Sequence, residues 1–411
     1  MEAATDSLHR SRYRIVIAGL ILAAHLAVGL NMFAVSPILL IIIDDLSINR
    51  ATAGLLVAMP MLVAAIFGLP GGLITMRLGL RRTYGAAWVA MGLLALSPLA
   101  PNFLAILTLR LLFGLGAAMM FTASGPLLLQ WFKPKEVLVM NGLNSAILSL
   151  GIFLSLATAV PLAEALEWKG ALGVFGVVGV LGALAWGFLG RVPARDGHLP
   201  AMVPLRGVFV LLRSRAMLLL LAADAGVFIQ YTALSAWLPT FYAEVRGMTL
   251  GRAALITALL PLVGVFAVIA GALIPLKFGA PRIFLIVPGI MIIVGGLASF
   301  NFSSTPVIYA SVILIGVGSW LYVPTLLSWT MQLAGMVPGN VAIVWGALIT
   351  VSGIGMFLSP ILVGFLRDAS GTFTLGFLIC SAAAWSLLLA GIFIPGGFSF
   401  SLSQDESQAP V

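Results

Sequence analysis

The sequence predicts an all-α membrane protein, with twelve transmembrane helices in two pseudo-symmetric six-helix bundles. Three observations carry that prediction. Of the 411 residues, 61% are hydrophobic and only 8% charged, against roughly 25% charged in an ordinary soluble domain. The apolar residues fall into a dozen runs, each of bilayer-spanning length. The pattern of the first half is also written again in the second.

A span takes about 20 apolar residues at 1.5 Å of rise each. The first run, 15–43, follows Arg10, Arg12 and Arg14. It is far longer than the roughly 7–15 residues of a signal-peptide core, so it reads as a membrane helix. Splitting the rest at charges and turn residues gives 51–76, 83–100, 103–131, 137–163 and 169–190, then 216–243, 251–275, 283–300, 305–331, 341–366 and 372–394. The third and fourth runs are parted only by the proline turn SPLAPN (97–102), and the ninth and tenth only by NFSST (301–305). Backbone groups in lipid must be satisfied internally, and runs this long and continuous do so as helices rather than barrel strands.

Orientation follows from the lysines and arginines in the connections. Fifteen fall on the side of the N-terminus, five on the other, and Arg110 lies inside a run. Both termini are therefore expected in the cytoplasm. The expected organisation is a tail (1–14), a six-helix bundle (15–190), a basic linker (191–215), a second bundle (216–394) and a tail (395–411). Within the linker, LRGVFVLLRSR (205–215) reads either as solvated chain or as a segment lying along the membrane surface. The net charge of +8 sits in these short connections, so it points to topology rather than to nucleic acid.

The internal repeat is specific. GGLITMRLGLRR (71–82) returns as GALIPLKFGAPR (271–282), and SINRATAGLLVAMP (47–60) as TLGRAALITALLP (249–261). Pro37 matches Pro239 and Pro60 matches Pro261. Gly114-x-Gly116 matches Gly316-x-Gly318, and the Asn141/Pro161 pair matches Asn340/Pro360. A nearly constant offset over the whole length marks two homologous six-helix halves.

GLITMRLGLRR (72–82) resembles the loop signature of the major facilitator superfamily, G-x-L-x-D-[RK]-x-G-x-[RK]-[RK], and RLLFGLGAA (110–118) resembles its fourth-helix motif. WLPTFY (237–242) and QWFKPKE (130–136) look like its anion and small-solute branches. GLNMF (29–33) with Pro37 and DDL (44–46) resembles its cyanate/nitroimidazole-type porters. The resemblance implies the major facilitator fold, with helices 1, 4, 7 and 10 around a central cavity that opens alternately to each side. It also implies gating residues at Arg77, Arg81, Arg82, Lys277 and Arg282, although plain positive-inside topology explains Arg77, Arg81 and Arg82 equally well. The chain departs from the family at Met76 and Leu276, where a latch carboxylate is expected. It departs again at Phe33, where the cyanate-type branch carries an arginine, and it lacks the Gly-Pro signature of drug antiporters in helix 5.

Ionisable residues inside spans are costly and mark function by default. There are three: His25 in helix 1, Arg110 in helix 4 and Asp224 in helix 7, all on helices the resemblance places around the cavity. His25 and Asp224 lie at similar depth and at repeat-equivalent positions, so they are the candidate proton-coupling pair; a structural hydrogen bond for His25 and a bundle ion pair for Asp224 are the bland readings. Arg110 offers a fork of donors to an anionic group or braces its neighbouring helices. Asp224, Phe228, Tyr231 and Ser235 follow i, i+4, i+7, i+11 spacing and share one stripe, with Gln230 pointing elsewhere. The substrate-binding candidates are Arg110, Asn31, Asn144, Phe228, Tyr231, Trp320, Tyr322 and Trp345.

These features point to a secondary active transporter moving a small polar or anionic organic solute by alternating access, as a symporter if protons are coupled. A drug/proton antiporter and a non-transporting receptor or scaffold are the alternatives. An enzyme is not expected. The chain has one cysteine (Cys380), histidines only at 9, 25 and 198, and no HExxH, zinc spacing, GxSxG or Walker loop. No cofactor or metal is expected, and no partner beyond the solute, protons and the bilayer. The expected form is a monomer in a cell membrane, taken to be a bacterial inner membrane.

Overall fold

The computed structural model describes residues 12–192, 212–278, 282–333 and 338–394, and among these it contains helices and no strand. Helix α1 is Tyr13–Met32, carried on through a 3-10 turn at Ser36–Ile38 to Leu39–Leu46; α2 is Arg50–Leu78; α3 is Leu80–Gly92 with a 3-10 tail, Leu93–Leu99; α4 is Phe103–Trp131. The stretch Pro134–Leu189 is broken at Glu167, whose φ is 60°, so it forms two helices, α5 (134–166) and α6 (168–189). Then follow α7 (Arg215–Glu244), α8 (Leu250–Phe278), α9 (Ile283–Asn301), α10 (Thr305–Leu321 and Val323–Leu333), α11 (Pro338–Ser370) and α12 (Thr374–Ala383 and Trp385–Phe393). Each apolar run of the sequence corresponds to one helix.

By length and hydropathy alone, ten stretches qualify as spans. The difference from twelve has two local causes. α5 and α6 join through a single residue, Glu167, and count as one. The α-helical part of α3 is only 13 residues long before it tightens into the 3-10 form. The α5–α6 corner is pinned by its neighbours: the Trp168 indole N–H donates to Asp45 at 3.0 Å, and Lys169 donates to the Ala100 carbonyl at 3.0 Å. Most of the expected linker (191–215) and all of the expected C-terminal tail lie outside the described residues, as does most of the N-terminal tail.

The two halves meet along a seam that respects the repeat, α2 against α11 and α8 against α5. Bare helix faces allow this approach. A Cβ on Gly364 would sit 2.6 Å from the Arg50 carbonyl oxygen, and one on Gly54 2.9 Å from the Pro360 carbonyl oxygen. Side chains bolt the seam: Ser149 donates to the Pro261 carbonyl at 2.7 Å, and Thr350 to the Ala65 carbonyl at 3.1 Å.

The buried apolar residues separate into three clusters. One mixes both halves and gathers the end of the bundle away from Tyr13: Phe33 to Ile43, Val57, Trp168, Trp237, Phe241 and Phe377. The second belongs to the first half alone and lies at the Tyr13 end, around Ile17, Tyr84, Trp88 and Trp131. The third belongs to the second half alone and lies at that same end, around Met217, Leu285, Trp329 and Leu387. The halves thus share a core at one end and keep separate cores at the other.

Candidate functional site

Arg110 shows how local sequence builds the interior. Its guanidinium is buried. Nε–H donates to the Leu56 carbonyl at 2.7 Å, and the two terminal nitrogens donate to the Met32 carbonyl at 2.9 Å and to the Asn31 carbonyl. All three acceptors are carbonyls the helices themselves leave free. Asn31 and Met32 close the first part of α1, where last-turn carbonyls lack partners. Leu56 lies four residues before Pro60, which has no N–H to offer it. Arg110 therefore satisfies the broken backbone of α1 and α2, and at least three of its five N–H donors are committed to protein. The Asn31 side chain ties α1 to α6, donating to the Phe175 carbonyl at 3.1 Å and to its own helix at Ala27 at 2.9 Å.

Next to this brace, one aromatic chain crosses from one half to the other. Phe33 of α1 meets Tyr231 of α7 edge-on at 6.3 Å between ring centroids, and Tyr231 meets Trp320 of α10 edge-on at 6.1 Å. Trp320 can lie there because Gly264 of α8 is bare; a Cβ would come within 2.6 Å of the indole ring. The polar atoms of this cluster are the unusual part. The Tyr231 hydroxyl, the Trp320 N–H and the Ser235 hydroxyl are neighbours and buried, yet none makes a hydrogen bond of ordinary geometry. Buried donors are nearly always paired, so this set is open to an acceptor.

Asp224 lies seven residues nearer the start of α7, about 10 Å along the helix. Its carboxylate accepts one hydroxyl on each oxygen: Tyr322 of α10 at 3.0 Å and Ser352 of α11 at 2.5 Å. Tyr322 is the residue at which α10 breaks. Sequence reasoning placed Tyr322 on the site but missed Ser352, which has nothing in its spacing to distinguish it from other hydroxyls in apolar helices.

The structure does not bring His25 to Asp224. The His25 ring packs edge-on against Phe121 of α4 at 5.7 Å, and its Nδ1 pairs with the Ile21 carbonyl at 2.9 Å. Asn144 of α5 is buried with its carbonyl oxygen unpaired, and the Trp345 N–H of α11 is unpaired too. Phe228 is half-buried. Gln230 turns away from the stripe, donating to the Ile292 carbonyl and to Ser381, both at 3.1 Å. Of the residues read as gates, Arg77, Arg81 and Arg82 are exposed and form no ion pair among the described residues. Arg282 donates to the Ile394 carbonyl at 2.8 Å. The side chains of Met76, Leu276 and Lys277 lie outside the described residues.

An ion-pair cluster that sequence reasoning also missed joins the halves at the shared-core end. Arg50 of α2 meets Glu244 of α7 at 2.5 Å and Asp368 of α11 at 3.8 Å, and Arg367 meets Glu244 at 3.5 Å. The Ala51 N–H adds a bond to Asp368 at 3.0 Å. The only legible signal was that acidic residues fall at the α7 and α11 ends on the side with fewer lysines and arginines.

Known proteins resemble the chain over most of its length. It is 24% identical over 375 residues to a hexuronate transporter of Bacillus subtilis, covering 85% of this chain and 87% of that protein. It is 22% identical over 352 residues to a nitrite extrusion protein of the same organism, covering 83% and 84%. Among solved structures, a bacterial homologue of the human lysosomal transporter Spinster, described as inward-facing and unoccupied, superposes with a TM-score of 0.69 at 17% identity, covering 93% of this chain and 95% of that one. The family model described as Major Facilitator Superfamily matches residues 21–360. With twelve helices among the described residues and a repeat-related seam between the halves, the chain belongs to the Major Facilitator Superfamily, as a transporter and not an enzyme.

Proposed function

We infer that this transporter moves a small anionic organic solute by alternating access, with its two halves rocking about the Phe33–Tyr231–Trp320 cluster. One observation carries the reading: the halves share a core and an ion-pair cluster at one end and hold separate cores at the other. Two-bundle transporters work by opening one end while the other is closed. The distribution of lysine and arginine assigns the separated end to the cytoplasm, so the conformation is closed to the outside.

The cargo follows from what the site offers. With Arg110 committed to backbone carbonyls, the groups left open are neutral donors, the Tyr231 and Ser235 hydroxyls and the Trp320 N–H, beside aromatic faces. Such a set suits an oxygen-rich solute that accepts hydrogen bonds and presents a ring to the aromatics. The hexuronate and nitrite relatives support an anion. Asp224 is the proton-coupling candidate; His25 packs within the first half and is assigned no proton step. A monomer contains the whole site.

The test is uptake of a labelled hexuronate into proteoliposomes at two pH values, with nitrite and a lipophilic cation as competitors. Saturable uptake, blocked by sugar acids and dependent on the pH gradient, is expected. Competition by the lipophilic cation alone would move the chain to the drug-antiporter class.

A further inference from the structure

Asp224 is joined to the break in α10 and to the stretch of α11 that packs against the other half. Through Tyr322 it holds the break in α10, two residues beyond Trp320, which belongs to the aromatic cluster. Through Ser352 it holds α11 in the stretch where that helix crosses to the other half. Thr350 donates to the Ala65 carbonyl at 3.1 Å. A Cβ on Gly353 would meet the Ala65 side chain at 2.8 Å, and one on Gly68 would meet Ile349 at 3.2 Å. Ser352 thus sits inside the seam contact rather than beside it.

The hydrogen of Ser352 goes to an unusual place. Hydroxyls in the helices of this chain commonly turn back onto the carbonyl three or four residues earlier: Ser124 to Met120 at 2.8 Å, Thr257 to Ala253 at 3.0 Å, Ser328 to Pro324 at 2.8 Å and Ser311 to Ile308 at 2.8 Å. Ser352 instead donates across to Asp224. The groups facing Asp224 are all neutral. They are Tyr322 on α10 and Ser352 on α11. No lysine, arginine or histidine pairs with it among the described residues.

We propose that the Asp224–Ser352 bond is a proton-operated link from the interior to the seam between the halves, with Tyr322 and Ser352 as positioning residues. As a carboxylate, Asp224 accepts both hydroxyls and keeps α11 straight against α2. A proton from cytoplasmic water forms an O–H bond at the oxygen facing Ser352. That oxygen then donates, and the serine hydrogen turns back to the Leu348 carbonyl, the choice its counterparts already make. Such back-bonding bends helices, and the bend falls at 348–352, where α11 contacts Ala65 and Gly68. Tyr322 transmits the same change to the α10 break and so to Trp320.

The proposal rests on alternating access but not on the identity of the cargo, so its test uses none. Leu78→Cys and Ile283→Cys, at the cytoplasmic ends of α2 and α9, carry spin labels in a Cys380→Ser background. The distance distribution is recorded from pH 5 to 9 in nanodiscs. Two separations are expected, exchanging population with a single-proton midpoint. Asp224→Asn removes the pH dependence. Ser352→Ala, which takes one donor from the carboxylate, moves the midpoint upward by about one pH unit or more, and Ser352→Thr, which keeps the hydroxyl, restores it. Tyr322→Phe moves it the same way. An unchanged midpoint in Ser352→Ala, or two separations indifferent to pH, overturns the link while leaving alternating access standing. A single separation under every condition overturns both. Should Ser352→Ala fail to fold, Tyr322→Phe decides the matter by the same midpoint.

Discussion

At the Arg50–Glu244 end the two halves share one apolar core, whereas at the Arg14–Glu136 end each half keeps its own. The ion pairs follow the same division. Arg50 of the first half pairs with Glu244 and Asp368 of the second, and Arg367 joins Glu244 beside them. Arg14 and Glu136, 2.9 Å apart, join two helices of the same half. The difference teaches that the two halves are held to each other at one end by a core and an ion-pair cluster they share, while the other end is packed within each half alone.

Two glycines offer the sharpest way to break that comparison. A Cβ on Gly29 of α1 would come within 2.2 Å of the Leu148 carbonyl oxygen of α5, inside one half. Gly29→Leu forces two backbones apart and is expected to cost about 3 kcal/mol or more, read as loss of monodisperse protein in detergent. Gly364→Leu drives a similar wedge against Arg50, but across the seam. It should give folded protein whose uptake falls at least tenfold, with reagents reaching the site from outside. Equal loss of folded protein in both variants would show that the seam is as rigid as the half.

Arg50→Ala should come next in size. It leaves Asp368 without its cation and Glu244 with Arg367 alone. Because these side chains are about a quarter exposed, water and salt screen them. Uptake is expected to fall a few-fold, and the Arg50–Glu244 end should become more accessible, with the wild type drifting the same way as ionic strength rises. Thermal stability should hardly change, since neither half loses a core contact.

A smaller effect is expected inside. Tyr231→Phe removes a buried hydroxyl that lies beside Trp320 and Ser235 without a hydrogen bond of ordinary geometry, so the fold loses little and Tm should stay nearly level. KM for the solute should rise about threefold to tenfold with kcat little changed, since a neutral donor to the cargo is worth about 1 kcal/mol. A lowered Tm with unchanged KM would make that hydroxyl structural.

Much of the fold was legible because it rests on composition and repetition. Twelve apolar runs and a constant repeat offset specify the helices and their pairing into halves. What escaped was local: the 3-10 tail of α3 and the one-residue reversal at Glu167, both held by contacts distant in sequence. The site was legible at its ionisable residues, because charge inside a span is rare, but not in its pairings. His25 and Asp224 share a depth, and nothing in one sequence says that Phe121 lies beside the first and Ser352 beside the second. Arg110 is the instructive middle case. Pro60 announces that the Leu56 carbonyl lacks a partner, yet only packing shows which cation answers it. The ion-pair cluster was hidden for the same reason, its members being scattered over three connections.

The Arg14–Glu136 pair should produce the smallest effect, and its pH dependence has a definite sign. The Lys133 backbone N–H, at 3.0 Å from Glu136, first and the Arg14 charge after it hold the Glu136 carboxyl below its ordinary value of 4.5. The folded state therefore binds this proton more weakly than the unfolded chain. The pair's contribution is complete above the ordinary carboxylate range and is lost as pH falls through the lower folded value. Both side chains are about a third exposed, so screening leaves little: Glu136→Gln at pH 7 should lower Tm by no more than about 1 °C. As pH falls through that lowered value the variant and the wild type should converge. Neither access to the outer end nor KM should move, because the pair never leaves its own half. A change in either would mean that the Glu136 end of α5 shifts during transport, and that the first half is not one rigid body.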